Sequence, residues 1–310
     1  MDLHSRPACS VLGAVALAGA LALPAAANAD ATRCRERVAL ESARFAQTVM
    51  KALSGCEEFV IKGKSAGPCP DETATARIAK AESQLRVRID KTCGGTDRTC
   101  GGFEDTPLAL YGWDVGACPD IEGAGCANAV DDCIDVAECL RCVGDVATNQ
   151  LVGLYADDFE PSLDDATLNS CQVRISKETL RLFRSRSKLL QKCWRGVSRE
   201  RFPGPCPDPG DGKVLVKVAA AEAKMVSNIC KVCGGGDREC GTPDDLGVAA
   251  IGFAAACPDV TTPEGQACGG PITTLDDVVD CIACVAEFKG DCLDALAVPW
   301  ATSYPTQCSP

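Results

Sequence analysis

The chain has one histidine, His4, and only 5% of its 310 residues are aromatic. The histidine lies in the N-terminal leader described below, so the mature protein has none. That removes the usual general base of serine and cysteine hydrolases, the commonest metal ligand, and the Cys-x-x-Cys-His attachment of c-type haem. Scarce aromatics leave little surface for stacking on sugar rings, since the three tryptophans, Trp113, Trp194 and Trp300, are scattered. They also force an aliphatic core that is thin for the length of the chain. Beyond residue 23 no apolar run approaches the roughly 20 residues of a membrane-spanning helix, and no alternating pattern long enough for a substantial strand occurs.

Cysteine, in contrast, is abundant, with 23 in all. The first 29 residues hold polar groups at Asp2, His4 and Arg6, an apolar run from Val11 to Leu23, and Ala27-Asn28-Ala29, a small-x-small cleavage site. Cleavage is therefore expected before Asp30, and Cys9, in Arg-Pro-Ala-Cys, lacks the pattern of a lipoprotein box. The remaining 281 residues carry 22 cysteines. An even number at this density in an exported chain predicts a fully paired disulfide scaffold in which cross-links supply what burial does not.

The cysteines recur. Cys34, Cys56, Cys69, Cys93, Cys100, Cys118, Cys126, Cys139 and Cys142 return as Cys171, Cys193, Cys206, Cys233, Cys240, Cys257, Cys268, Cys281 and Cys284. Gly67-Pro68-Cys69-Pro70-Asp71 matches Gly204-Pro205-Cys206-Pro207-Asp208. Cys93-Gly-Gly-Thr-Asp97-Arg98 matches Cys233-Gly-Gly-Gly-Asp237-Arg238. Two tandem copies of one module are inferred, residues 30–156 and 171–310, with the acidic tract 157–170 as linker.

Each copy reads as three helices. In the first, Val38, Phe45, Ala52 and Cys56 match Ile175, Leu182, Leu189 and Cys193 and keep one face apolar over some 23 residues. The second starts after Cys-Pro-Asp, where Asp71 can cap it, and carries Ala74, Ile78, Ala81, Leu85 and Ile89; the counterparts are Leu215, Val218, Ala221, Met225 and Ile229. Both end at a Gly-Gly pair suited to a left-handed stop. The third lies near residues 129–156 and 273–297. Tyr111-Gly112-Trp113 and Ile251-Gly252-Phe253, in the Gly-, Pro- and Asp-rich loops between, read as buried plugs. The fold class is thus all-α: two disulfide-rich three-helix modules with irregular loops. With its Cys-Pro-Asp and Cys-Gly-Gly-x-Asp-Arg signatures in tandem, nearly the whole mature chain resembles uncharacterised cysteine-rich secreted bacterial proteins. That resemblance implies export and duplication and carries no activity or site.

Three Cys-x-x-Cys pairs, Cys139/Cys142, Cys230/Cys233 and Cys281/Cys284, raise redox and zinc chemistry. Asp135, Glu138 and Asp280 beside these thiols would raise their pKa, against a redox role. Zinc is opposed by the oxidising compartment and by the lack of two pairs at ribbon spacing. Asp237, Asp244 and Asp245 lack the spacing of a calcium loop and read as solvated acids. No catalytic, cofactor or metal residue is assigned.

Geometry suggests the pairings. An antiparallel hairpin of the first two helices brings Cys56 to Cys69, Cys193 to Cys206, and Cys34 and Cys171 near Cys93 and Cys233. Cys230 and Cys292 occur only in the second copy, so they are expected to bond to each other, with Cys133 and Cys308 completing each odd set of nine.

Charge is segregated as well. Residues 33–96 carry a net +4 and 97–170 a net −14, while 171–201 carry +8 and 237–310 carry −10. On the first helix of copy two, Arg174, Lys177, Arg181, Arg184, Lys188, Lys192, Arg195 and Arg199 follow three- and four-residue steps. Its counterpart keeps Arg37, Arg44, Lys51 and Lys62. The plain reading is a solvated face, or one lying near the acidic third helix; the sharper one is a docking face for an anionic cell-envelope polymer or acidic protein surface. Nucleic acid is disfavoured by the net charge of −12 and the export signal. The expectation is a structural or binding protein, secreted or periplasmic, that needs no cofactor. A thiolate metal binder is the alternative, and a carboxylate hydrolase the third.

Overall fold

The computed structural model describes residues 25–159, 165–208 and 210–309. Most of the segment read as a leader, including His4 and Cys9, and residues 160–164 of the acidic tract lie outside them. The described chain is all-α, apart from one two-residue antiparallel pairing, β1 (Ala256–Cys257) with β2 (Gly270–Pro271), and the isolated bridges Ala117 to Ala129 and Thr261 to Ala267.

Helix α1 (Ala25–Ile61) and helix α2 (Glu72–Cys93) form a hairpin, as do α5 (Ala166–Ser198) and α6 (Val214–Cys233). Long α4 (Cys133–Ala156) and α8 (Leu275–Ala297) follow, each preceded by a one-turn helix, α3 (Leu108–Tyr111) or α7 (Val248–Ile251). At 37 and 33 residues, α1 and α5 outrun the 23-residue apolar pattern. Asp165 caps α5, accepting from the Leu168 amide at 2.8 Å, so the helix starts inside the tract read as a linker to residue 170. A capping carboxylate suits the four unsatisfied amides of a first turn. Asp71 does the same for α2, accepting from Ala74 at 2.7 Å. Capping boxes at Asp132/Asp135 and Thr274/Asp277 start α4 and α8, and the amides and hydroxyls bound to Asp277 hold its carboxyl down to about 2. The α2 stripe buries Ala74, Ala81, Leu85 and Ile89. On α6 Val218, Met225 and Ile229 are buried as the pattern implied, and only in the first turn does Val214 take the buried place expected of Leu215, which is half exposed.

The two halves share one core. Helix α1 runs antiparallel to α5, with Arg199 donating to Glu36 at one end and Lys177 paired with Glu58 at the other. Phe45, Val49, Leu140, Val143, Phe183, Ile282 and Phe288 belong to a single buried cluster. Each such aliphatic or aromatic side chain contributes about 1.5–3 kcal/mol by leaving water. The plugs, Tyr111 and Trp113, Ile251 and Phe253, are buried. Gly112 (φ +82) lies against Trp300, and Gly252 (φ +73) against Phe159; in both a Cβ would fall 2.5 Å from a Cα, so only glycine fits.

All 22 described cysteines are paired, in eleven disulfides. Cys34–Cys93 and Cys171–Cys233 tie the first helix to the second at one end, and Cys56–Cys69 and Cys193–Cys206 tie them at the other. Cys118–Cys139, Cys126–Cys142, Cys257–Cys281 and Cys268–Cys284 fasten the loops onto α4 and α8. The expected Cys230–Cys292 bond does not form. Cys230 pairs with Cys240, only ten residues on, and Cys292 with Cys308. In the first half, Cys100, which matches Cys240, bonds instead to Cys133 at the start of α4. The turn after Cys233 folds back against the end of α6 and brings Cys240 within bonding distance of Cys230, while the chain past α8 returns Cys308 to Cys292. Pairing cysteines because both lack a repeat partner missed this local geometry.

Candidate functional site

Around α5 the structure sorts the basic stripe into three parts. Arg174 and Arg181 turn to Glu178, whose side chain is only 2% exposed, and Lys177 to Glu58. Arg184, Lys188 and Lys192 make no ion pair among the described residues, and the two lysines are exposed. Arg195 and Arg199 enter a cleft of about 600 Å³. Arg186, which falls between the positions of the stripe, points into the core instead.

The cleft lies where the start of α1, the end of α2, the following turn and the end of α5 converge. Arg33 and Arg37 come from α1, Lys91 from α2, Arg98 from the turn, and Arg195 and Arg199 from α5. Two carboxylates also line it. Glu36 accepts both Nε and Nη2 of Arg199, at 2.6 and 2.7 Å, and Asp30 accepts from Arg33. Six cations against two anions leave the lining at a net +4. Arg37 is steadied from behind by Glu41, a buried carboxylate that also holds Arg44 and Arg88 at 2.8 and 2.7 Å. Glu178 does the same for Arg174 and Arg181 in the second half. The recurring glutamate escaped the sequence reading, though an acid at the matching place in both basic helices was its signal. Arg98 sits at φ +62 in the Cys-Gly-Gly-x-Asp-Arg turn, where Asp97 accepts the Thr99 amide at 2.9 Å.

At the corresponding corner of the other half two of the cleft's cations are missing, with Ser170 at the Arg33 position and Glu58 at that of Arg195. Burial alone would raise the Glu58 carboxyl, but Lys62 and Lys177 are both drawn to it and their hydrogen bonds and charge outweigh burial, leaving it below its ordinary value.

A second cleft, about 390 Å³, is acidic and holds Glu222, Asp280 and Glu287 beside the Cys257–Cys281 and Cys268–Cys284 bonds. Burial, then Glu287, raises the Glu222 carboxyl; burial, then Asp276 and Asp277, raises Asp280. Of the groups with metal-ligand proximity, Cys100, Asp105 and Cys133 include two sulfurs already bonded to each other, and Glu264, Glu287 and Asp291 face Arg186. The Cys-x-x-Cys spacings are split among different partners: Cys139 bonds Cys118 and Cys142 bonds Cys126. No thiolate remains among the described residues to hold a metal.

Behind the clefts lies a buried polar network. Arg186 donates to both Asp291 oxygens, at 2.7 and 2.6 Å, and to Glu287 at 2.6 Å. Burial works against the charged guanidinium, yet Asp291 and Glu287 hold it above its ordinary pKa. Trp194 donates its indole N–H to Asp294. Burial pushes the Asp294 carboxyl up to about 7, with Trp194 and then Arg186 pulling the other way. Its pKa in the unfolded chain is about 3.9. The folded state therefore binds this proton more tightly, and the contribution is complete below about pH 4 and lost as pH rises through 7. Urea unfolding of the wild type should accordingly lose stability between pH 4.5 and 7.5 relative to Asp294→Asn. Parallel curves for the two proteins would contradict the assignment.

These features define the class: an all-α, disulfide-stabilised protein with one strongly basic cleft, and no described helix long and apolar enough to cross a membrane. No family model matches the chain, and neither a curated protein nor a solved structure matches it.

Proposed function

We propose that this is an exported binding protein of the periplasm or cell exterior, built from two tandem copies of one module, that holds an anionic partner in the basic cleft. The observation that carries the reading is the convergence of six cations from four segments on one cavity. Like charges are brought together at an energetic cost that an anionic ligand removes. Export is supported by eleven disulfides, which form and persist in oxidising compartments, and by the leader sequence ending before Asp30. Removing the leader there leaves Asp30, a cleft residue, at the new N-terminus. The partner is an anionic envelope component or acidic surface rather than nucleic acid, and binding needs no cofactor.

Retention of the purified mature protein on immobilised sulfated polysaccharide tests the site. Affinity should fall with added salt, and Arg98→Ala with Arg195→Ala should weaken binding by about tenfold or more, from the loss of charge-assisted hydrogen bonds. Lys188→Ala with Lys192→Ala, exposed on the same helix outside the cleft, should have little effect. Equal losses from the two pairs would assign binding to the helix face as a whole and refute the cleft.

A further inference from the structure

We infer that the cleft selects clustered phosphate groups, one cluster per chain, over carboxylates of equal charge; this rests on the anion-binding reading above. Three features of the lining point to that ligand chemistry. First, five of its six cations are arginines, whose planar forks match the oxygens of a phosphate in pairs, whereas Lys91 alone supplies a point charge. Second, the lining contains no aromatic ring, and Leu40 is its one large apolar side chain. A ligand recognised through a sugar plane or an apolar body therefore has almost nothing to rest on, and recognition falls to charge and hydrogen bonding. Third, the net +4 is confined to about 600 Å³. A cavity of that volume takes a single small ligand. A polymer with one carboxylate per sugar brings too few charges into that space, whereas a phosphomonoester carries close to two negative charges at pH 7 with three acceptor oxygens. Two such groups, or a short condensed phosphate, would match the lining.

The pre-formed pairs fit this use. Glu36 fixes the Arg199 guanidinium by both Nε and Nη2, and Glu41 steadies Arg37. Both are thus oriented before a ligand arrives, while Lys91, Arg98 and Arg195 have no ion-pair partner among the described residues. Stoichiometry follows from the other half, where Glu58 occupies the Arg195 position and binds Lys62 and Lys177 itself. Ser170 likewise stands at the Arg33 position and Glu178 holds Arg174, so only Lys231 and Arg238 keep no ion pair there among the described residues, too few for a second site.

Isothermal titration calorimetry on the mature, oxidised protein tests the inference with three probes: sodium tripolyphosphate, poly(glycerol phosphate), and butanetetracarboxylate as the carboxylate control. The expected result is one tripolyphosphate per chain, bound at least tenfold more tightly than the tetracarboxylate, and lost in the Arg98→Ala/Arg195→Ala variant with its circular dichroism unchanged. A tighter fit for poly(glycerol phosphate), a phosphodiester polymer with a single charge per unit, than for tripolyphosphate would overturn the preference for clustered phosphate. Equal affinity for tripolyphosphate and the tetracarboxylate, or two sites per chain, overturns phosphate selection while leaving the anion site standing. If the chain binds none of the probes and no sulfated polysaccharide, both readings fall together.

Discussion

Replacing Arg186 with leucine is expected to cost about 3–5 kcal/mol, among the largest effects of any single substitution in this chain. The guanidinium is 6% exposed and the Asp291 side chain 8%, and the two are joined through both carboxylate oxygens. Removing the cation leaves a buried carboxylate, and Glu287 close to it, without compensation. The loss should shrink toward acid pH, where Asp291 can take up a proton instead. In the double variant Arg186→Leu/Asp291→Leu, most of the stability should return, because two buried charges no longer need desolvating. Urea unfolding of the three proteins at pH 7.5 measures this. An unrecovered double variant would mean that packing around Arg186, not its charge, holds α5 to α8.

Loss of a cross-link between helices comes second. Cys171 and Cys233 lie 62 residues apart in sequence and are both buried. On the chain-entropy account, closing a loop of that length contributes about 4 kcal/mol, against about 3 kcal/mol for the 13-residue Cys193–Cys206 loop. Substituting each pair with alanine, so that no free thiol is left, should therefore destabilise the chain more for Cys171/Cys233. Cavities left by the sulfurs add to this difference, since Cys171 and Cys233 lie at the core seam and Cys206 is only partly buried. Thermal unfolding of the two variants should rank them in that order, and the reverse order would show that the short hairpin tether matters more than loop length.

Much of the local structure was legible in the residues. Apolar residues at helical spacing placed α1, α2, α5 and α6, and Cys-Pro-Asp announced the Asp71 cap, because these signals act within a few turns. Four of the disulfides were also readable, since an antiparallel hairpin leaves its two ends few other partners. The length of α1 and α5 was not, because their outer turns are held by packing between the halves and by caps such as Asp165. Nor was the Cys230–Cys240 bond, which depends on how a glycine turn folds back on its own helix.

The candidate site divides in the same way. The sequence by itself determined that the chain is helical, rich in cysteine, without histidine beyond position 4, and strongly basic along α5, since composition and periodicity are properties of the residues alone. Only the tertiary structure decided which of those cations matter together. Arg186 was turned inward, Arg174, Arg181 and Lys177 were consumed by glutamates, and Arg195 and Arg199 were brought to Arg33, Arg37, Lys91 and Arg98. The physical reason is that a cleft is made by the antiparallel approach of α1 and α5, helices far apart in the sequence. Burial and partnering at that seam, not the spacing of charges along one helix, set which side chains remain free to bind.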